Sequence, residues 1–158
     1  MNRDEKRRQV ICSCLQQQEQ IASIAKQEMD SAQQQSNDYG ANVDRYDSYR
    51  TKLMRSRDMY AKQLANANAS IRVLRELLQQ APHDSADHGA IVETDKQRFF
   101  LSIGAGKFLV PHQAPLSQPQ ETYFAISAQT PIYLALKGHK IGDTIVFNGI
   151  SQTIQEIY

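Results

Sequence analysis

Two cysteines, four histidines, a glycine-rich segment and a pair of acids flanking a turn are the residues here that could carry redox, metal or phosphate chemistry. Cys12 and Cys14 stand at i,i+2 in a helical context, where their side chains point away from one another. A disulfide is therefore not expected. Neither is structural zinc, which needs four ligands, because no second Cys or His pair is spaced to complete the set. Both are expected to be small buried or semi-buried thiols. His83, His88, His112 and His139 are scattered over linker and turn positions, with no helical spacing or carboxylate neighbour to group them, and are expected to be solvated. Gly104-Ala105-Gly106-Lys107 has the composition of a phosphate loop but neither its spacing nor a following helix, so it reads as a hairpin turn. The acids are Asp38 and Asp44. Asp38 suits a turn, and Asp44 suits the first turn of a helix, where the dipole favours a negative charge.

The cysteines and the two acids are placed by two long helices. From Arg3 to Gln35 there is no Pro or Gly, and Gln, Glu, Lys and Ala dominate. Val10, Cys14, Ile21, Ile24/Ala25, Met29 and Ala32 fall near one stripe, narrow enough for a two-helix seam. Ser36-Asn37-Asp38-Tyr39-Gly40 breaks the stripe and reverses the chain. Asn42 then caps a second helix whose apolar positions are Tyr46, Tyr49, Leu53, Tyr60, Leu64, Ala67, Ile71, Leu74 and Leu78, with Ser56 filling one step. Consecutive steps of four around Tyr60 form a stutter that locally relaxes the supercoil. The spacing predicts an antiparallel coiled-coil hairpin over 1–82 with its tip near 36–44, each helix spanning roughly 45 Å at 1.5 Å per residue.

Pro82 stops the second helix, and 83–89 reads as a polar linker. Over 90–158 the period changes. Ala90–Glu93, Arg98–Ile103, Thr122–Ser127, Thr144–Phe147 and Thr153–Ile157 read as five short strands, with turns at Gly104–Gly106, at 111–119 and at Asn148-Gly149. Thr130–Leu136 reads as a short helix capped by Thr130, with Pro131 at its first position. The fold class is α+β in two domains: a helical hairpin, then a small sheet domain with one short helix.

Charge narrows the partners. Residues 1–82 carry 13 Lys/Arg against 10 Asp/Glu, net +3, and 83–158 carry 5 against 7, net −2. The basic residues of the first half are interleaved with acids and glutamines, so no concentrated basic face marks a sequence-specific DNA reader. Protein partners are expected. No apolar run approaches about 18 residues and no signal pattern opens the chain, so a cytoplasmic location without membrane contact is expected.

The closing segment Ile126–Tyr158 resembles the end of the bacterial Gre transcript-cleavage factors. In that family a strand runs into Ser-Pro at a short helix, then Ala-Leu, a Gly-Lys-like turn, a Gly-Asp turn, and two closing strands ending in Ile-x-Tyr. The matches here are Thr130-Pro131, Ala135-Leu136, Gly138, Lys140, Gly142-Asp143 and Glu156-Ile157-Tyr158. Gly142-Asp143 also makes a tight turn, and Leu136, Ile145 and Ile157 would fill the core under the helix. With the preceding hairpin the resemblance covers nearly the whole chain, and it implies a sheet domain similar to FKBP-type isomerases.

The resemblance implies that the sheet domain docks on a rim of RNA polymerase while the hairpin enters the secondary channel. It places Gln129, Thr130 and Pro131 at the docking contact, with Gln129 where the family often has Asp. It implies no enzyme in the chain itself. The polymerase's own centre would cleave backtracked RNA, using Mg²⁺ shared with a tip carboxylate, since magnesium takes one or two carboxylates and a second ion can activate water. The isolated protein would hold no metal stably, and contact with nascent RNA would be indirect. Family tips resemble Gly-Asp-Leu-x-Glu-Asn-Ala-Glu-Tyr; here Asp38 and Asn42 match, the key Glu falls on Ala41, and an extra residue before Tyr46 lets Asp44 substitute. Asp38 and Asp44 are thus the tip acids, and Asp38 the metal-sharing one. Ala41 keeps open a channel-binding regulator without cleavage. A coiled-coil adaptor unrelated to polymerase is a further alternative. A prolyl isomerase would need an aromatic-lined pocket, and of Phe99, Phe100, Phe108, Tyr123, Phe124, Tyr133, Phe147 and Tyr158 several are better used as core.

Overall fold

A computed structural model of the chain describes residues 2–38, 47–111 and 120–158. Ala41, Asn42, Asp44, Tyr46 and most of the 111–119 turn lie outside the described residues. Two helices open the chain: α1 over Arg3–Asp38 and α2 over Asp47–Leu78. Asn2 and Glu5 start α1 reciprocally. The Asn2 side-chain oxygen accepts from Glu5 N at 2.8 Å, and the Glu5 carboxylate accepts from Asn2 N at 3.2 Å. This capping box satisfies amides that have no partner within the helix. Six strands and a third helix follow: β1 Ile91–Thr94, β2 Arg98–Leu101, β3 Gly106–Val110, β4 Glu121–Ile126, α3 Pro131–Leu136, β5 Thr144–Phe147 and β6 Ile150–Ile157. The α+β class and the change from helices to sheet agree with the sequence reading.

The strands form one mixed sheet in the order β3-β4-β2-β1-β6-β5. Among the described strands only β2 and β4 pair in parallel. Strand β3 corrects the expectation of five strands. Gly106, at φ 74°, starts a strand that pairs with β4 from Gly106↔Ala125 to Val110↔Glu121. Gly104–Gly106 is therefore not a hairpin turn. The strands on either side of it, β2 and β3, are separated by β4, and no local pattern signals a partner that lies beyond the 111–119 segment. The β5–β6 hairpin is as read: Asn148 (φ 51°) and Gly149 (φ 75°) both take the left-handed conformation of a two-residue turn.

Contacts divide the chain into two compact units, one of residues 2–15 with 73–158, the other Gln16–Arg72. In the first, both faces of the sheet are buried. One face packs Ile91, Phe100, Phe108 and Tyr123 against Val10, Ile11 and Cys14 of α1 and Leu74 and Leu77 of α2. The other packs Val92, Phe99, Leu101 and Ile154 against Tyr133 and Leu136 of α3 and against Ala86. Adjacent residues such as Ile91/Val92 and Phe99/Phe100 serve opposite faces, as the two-residue period of a strand requires. Phe99, Phe100, Phe108, Tyr123, Tyr133 and Tyr158 are all buried in these cores.

In the second unit the α1 seam differs from the expected stripe. Ala25 and Ala32 are buried, but Ile21 and Ile24 are 41% and 52% exposed, and Gln18, Ala22 and Ser36 are buried instead. The buried set Cys14, Gln18, Ala22, Ala25, Ala32 and Ser36 keeps steps of three and four once half-buried Met29 fills the gap between Ala25 and Ala32. Its centre lies roughly 60° round the helix from Ile21 at about 100° per residue. The facing residues of α2 are Ala67 and Ile71, buried, and Leu53, Ser56, Tyr60 and Leu64, half-buried. Arg57 Nη1 donates to Gln33 Oε1 at 2.7 Å across the pair.

Candidate partner-docking site

Local chemistry fixes the start of α3. Thr130, in extended conformation, accepts a hydrogen bond from Tyr133 N at its side-chain oxygen, and its hydroxyl donates to Ser127 O at 2.8 Å. Pro131 occupies the first turn, where its missing N–H costs nothing. Gln129 and Pro131 are exposed and Thr130 is half-buried. The structure thus brings Gln129, Thr130 and Pro131 to one helix start, and the Thr130 hydroxyl is committed to the cap.

The turns after α3 are built from the matched residues. Gly138 (φ 83°) donates to Ala86 O, and Ala86 N donates to His139 O, which ties 83–89 to this end of the domain. Gly142 (φ 92°) donates to Ile154 O at 2.8 Å, and Ile154 N donates to Asp143 O. The Asp143 carboxylate accepts from Lys140 N at 2.9 Å and lies 3.2 Å from His139 Nδ1. The Lys140 amide, then His139, hold the Asp143 carboxyl below its ordinary value. The expectation that no carboxylate accompanies a histidine is corrected at His139, since the reversal after α3 places Asp143 four residues on against it. His83 is half-buried rather than solvated, 3.0 Å from Gln80 Oε1. Burial first, then the Arg7 charge, lower its pKa.

Side chains alternate sharply on these elements. Tyr133, Leu136 and Ile145 are buried, while Leu134, Ile141 and Val146 are 63%, 56% and 68% exposed. Helix α3 and strand β5 pack on one another through Tyr133, Leu136 and Ile145, so Leu134 lies on the outer side of α3 near Gln129–Pro131, while Val146, next to Ile145 in the strand, points to the opposite face of the sheet. Large apolar groups held in water by a rigid scaffold are the usual raw material of a protein interface. The sequence reading missed them. The available signal was the second β-branched residue of Ile145-Val146, since in a strand one of the two must face away from the core.

A second polar constellation lies on the sheet. Lys6 Nζ donates to Glu121 Oε2 at 2.7 Å, and the Tyr123 hydroxyl donates to Glu93 Oε1 at 2.6 Å, with Glu121 Oε2 at 3.1 Å. Arg98 lies over the Tyr123 ring, 5.9 Å from its centroid. Burial alone would raise the Glu121 pKa, but the Lys6 hydrogen bond and charge, helped by Tyr123, leave it below its ordinary value. Burial, then the Glu93 hydrogen bond, drive the Tyr123 pKa far up. The group is a satisfied ionic network joining α1 to β4 and β1.

Of the tip acids, Asp38 ends α1, exposed, with Oδ1 3.4 Å from Gln34 Nε2. Asp44 lies outside the described residues. A single solvated carboxylate at a helix C-terminus fits shared coordination, with the remaining ligands supplied elsewhere, because the negative end of the helix dipole favours a cation. Among the described residues no three His, Cys, Asp or Glu side chains are grouped to hold a metal. No described helix is long and apolar enough to cross a membrane.

Comparison with protein-family models, with curated proteins and with solved structures returned no match.

Proposed function

We propose that this chain is a Gre-like factor that binds bacterial RNA polymerase, docking through the α3 end of its sheet domain and placing the helical hairpin in the secondary channel. The observation that carries the reading is the construction of Thr130–Tyr158. A Thr-capped, Pro-led helix, two left-handed glycine turns at Gly138 and Gly142 and a closing hairpin follow one another at the spacing of the family's C-terminal segment. The exposed Leu134 on the same short helix supplies apolar surface for the contact. An FKBP-like assignment of the sheet domain belongs to the same proposal, as do the domain limits 1–82 and 90–158 and a cytoplasmic location.

In this reading the protein is not itself an enzyme. The polymerase hydrolyses backtracked RNA, and Asp38, with Asp44 as the second acid, shares a Mg²⁺ ion with the polymerase centre. The experiment adds the protein to stalled bacterial elongation complexes with Mg²⁺ and resolves the RNA. Release of short 3′ fragments, reduced by Asp38→Asn, supports cleavage. Tight binding without shortening supports the second reading, a non-cleaving channel regulator, which Ala41 at the family's Glu position favours. Absence of binding contradicts both and leaves the coiled-coil adaptor.

A further inference from the structure

We propose that Gln16–Arg72 opens as a separate cooperative unit while the unit of residues 2–15 and 73–158 stays folded. The inference does not depend on the polymerase-binding reading.

It rests on what each unit buries. In the sheet unit Phe100, Tyr123, Leu136 and Ile154 are wholly or almost wholly removed from water, and five strand pairings close over them. In Gln16–Arg72 the α1 seam consists of Gln18, Ala22, Ala25, Ala32 and Ser36. Three of these five are alanines, which remove little apolar area from water, and two are polar. Ser36 Oγ is buried without a hydrogen-bond partner among the described residues, a further cost of closing the seam.

Of the larger aliphatics in this unit only Ile71, at the sheet end, is buried among the described residues. Ile21 and Ile24 face solvent, and Leu53 and Leu64 are only half-buried. Between Ala32 and Tyr60 an open cleft of about 180 Å³, lined also by exposed Glu28 and Gln35 and by Ser56, puts polar, solvent-accessible groups where apolar packing would join the helices. Helices in water owe most of their stability to a packed apolar face, and this one is thin.

The two ends of the hairpin differ in the same sense. Val10, Ile11 and Cys14 of α1 and Leu74 and Leu77 of α2 belong to the sheet unit's core. The helix stems are therefore stabilised by the sheet, and opening stops where that core begins. Contiguous segments with few buried apolar contacts are the ones that open below the global unfolding free energy.

Hydrogen exchange followed by mass spectrometry on the full chain tests this. Amides in 20–38 and 48–66 are expected to exchange at least about a hundredfold faster than those of 99–101 and 123–126, and with a weaker urea dependence, since less surface is exposed. In the double variant Gln18→Leu, Ser36→Leu, exchange in 20–38 and 48–66 should slow at least about tenfold while the sheet is unchanged. Equal opening free energies and equal urea dependence for the two units in the wild-type chain would overturn the proposal, and that comparison needs no variant. Filling the seam without slowing the hairpin would overturn thin packing as the cause.

Discussion

Arg7 Nη2 donates to the carbonyl of Leu77 at 2.8 Å, so a wholly buried guanidinium on α1 closes the C-terminal end of α2. The same group reaches the carbonyls of Gln80, Gly89 and Tyr158. Four backbone acceptors from three parts of the chain thus converge on one side chain, and the positive charge sits where the helix dipole favours it.

Arg7→Met should therefore destabilise the sheet unit. It leaves buried carbonyls without their donor, at about 1.5–3 kcal/mol for hydrogen bonds to a charged group. Arg7→Lys should recover only part of the loss, because an ammonium cannot span acceptors placed for a planar fork. Urea denaturation followed by circular dichroism measures both, and a midpoint unchanged in Arg7→Met would contradict the assignment.

Fold and docking surface should separate by mutation within one short helix. Leu136 is fully buried among Tyr133, Ile145 and Ile154, so Leu136→Ala should cost about 2–5 kcal/mol. Leu134, two residues away and 63% exposed, should change stability by no more than about 0.5 kcal/mol as Leu134→Asp. That variant should weaken capture of RNA polymerase. Unaltered capture by Leu134→Asp would remove α3 from the interface.

How much was legible follows from the range of each signal. Thr130-Pro131, Asn148-Gly149 and the absence of Pro and Gly over Arg3–Gln35 act within a few residues, and α3, the closing turn and the start of α1 stand where they were read, whereas α1 runs on through Ser36, Asn37 and Asp38, which were read as turn. Arg7 meets Leu77 and Lys6 meets Glu121 across 70 and 115 residues, distances at which nothing in a single sequence marks a partner. Gln18 in a seam beside exposed Ile21 and Ile24 inverts the hydrophobic pattern, because the phase of the whole buried stripe outweighs the preference of any one residue. At the candidate site, Gln129–Pro131 could be placed from the cap, whereas the exposure of Leu134 and Val146 depended on which way α3 and β5 face.

The two cysteines should differ in reactivity. Cys14 is fully buried and burial pushes its thiol up to about 12, while Cys12, expected to be buried or semi-buried, is exposed. Since the thiolate is the nucleophile, alkylation of the native protein at pH 8 should label Cys12 and leave Cys14 unmodified until the sheet unit unfolds. Peptide mapping after a short iodoacetamide pulse distinguishes the two. Equal labelling would show that α1 does not pack on the sheet through Cys14.

Acid should act through Glu121. Its carboxyl titrates below its ordinary value in the folded chain, held down by Lys6 and Tyr123 against the opposing effect of burial. The stability this contributes is present above the unfolded-state pKa and is lost as pH falls through the folded-state value. Lys6→Met should lower stability at pH 7 and flatten the decline on the acid side. Tyr123 carries the opposite sign, since its raised pKa contributes stability that is complete below about pH 10 and lost at more alkaline pH. Denaturation midpoints taken across pH should show both slopes, and an acid limb as steep in Lys6→Met as in the wild type would contradict the ion pair.

Direct binding to RNA polymerase is the measurement on which the proposed function turns. Purified bacterial core enzyme, immobilised and titrated with the full chain, should bind it saturably, with Leu134→Asp weakening the complex and Asp38→Asn leaving affinity unchanged while reducing any RNA shortening. No saturable binding to core enzyme or to stalled elongation complexes, by a chain shown to be folded, would contradict the proposal.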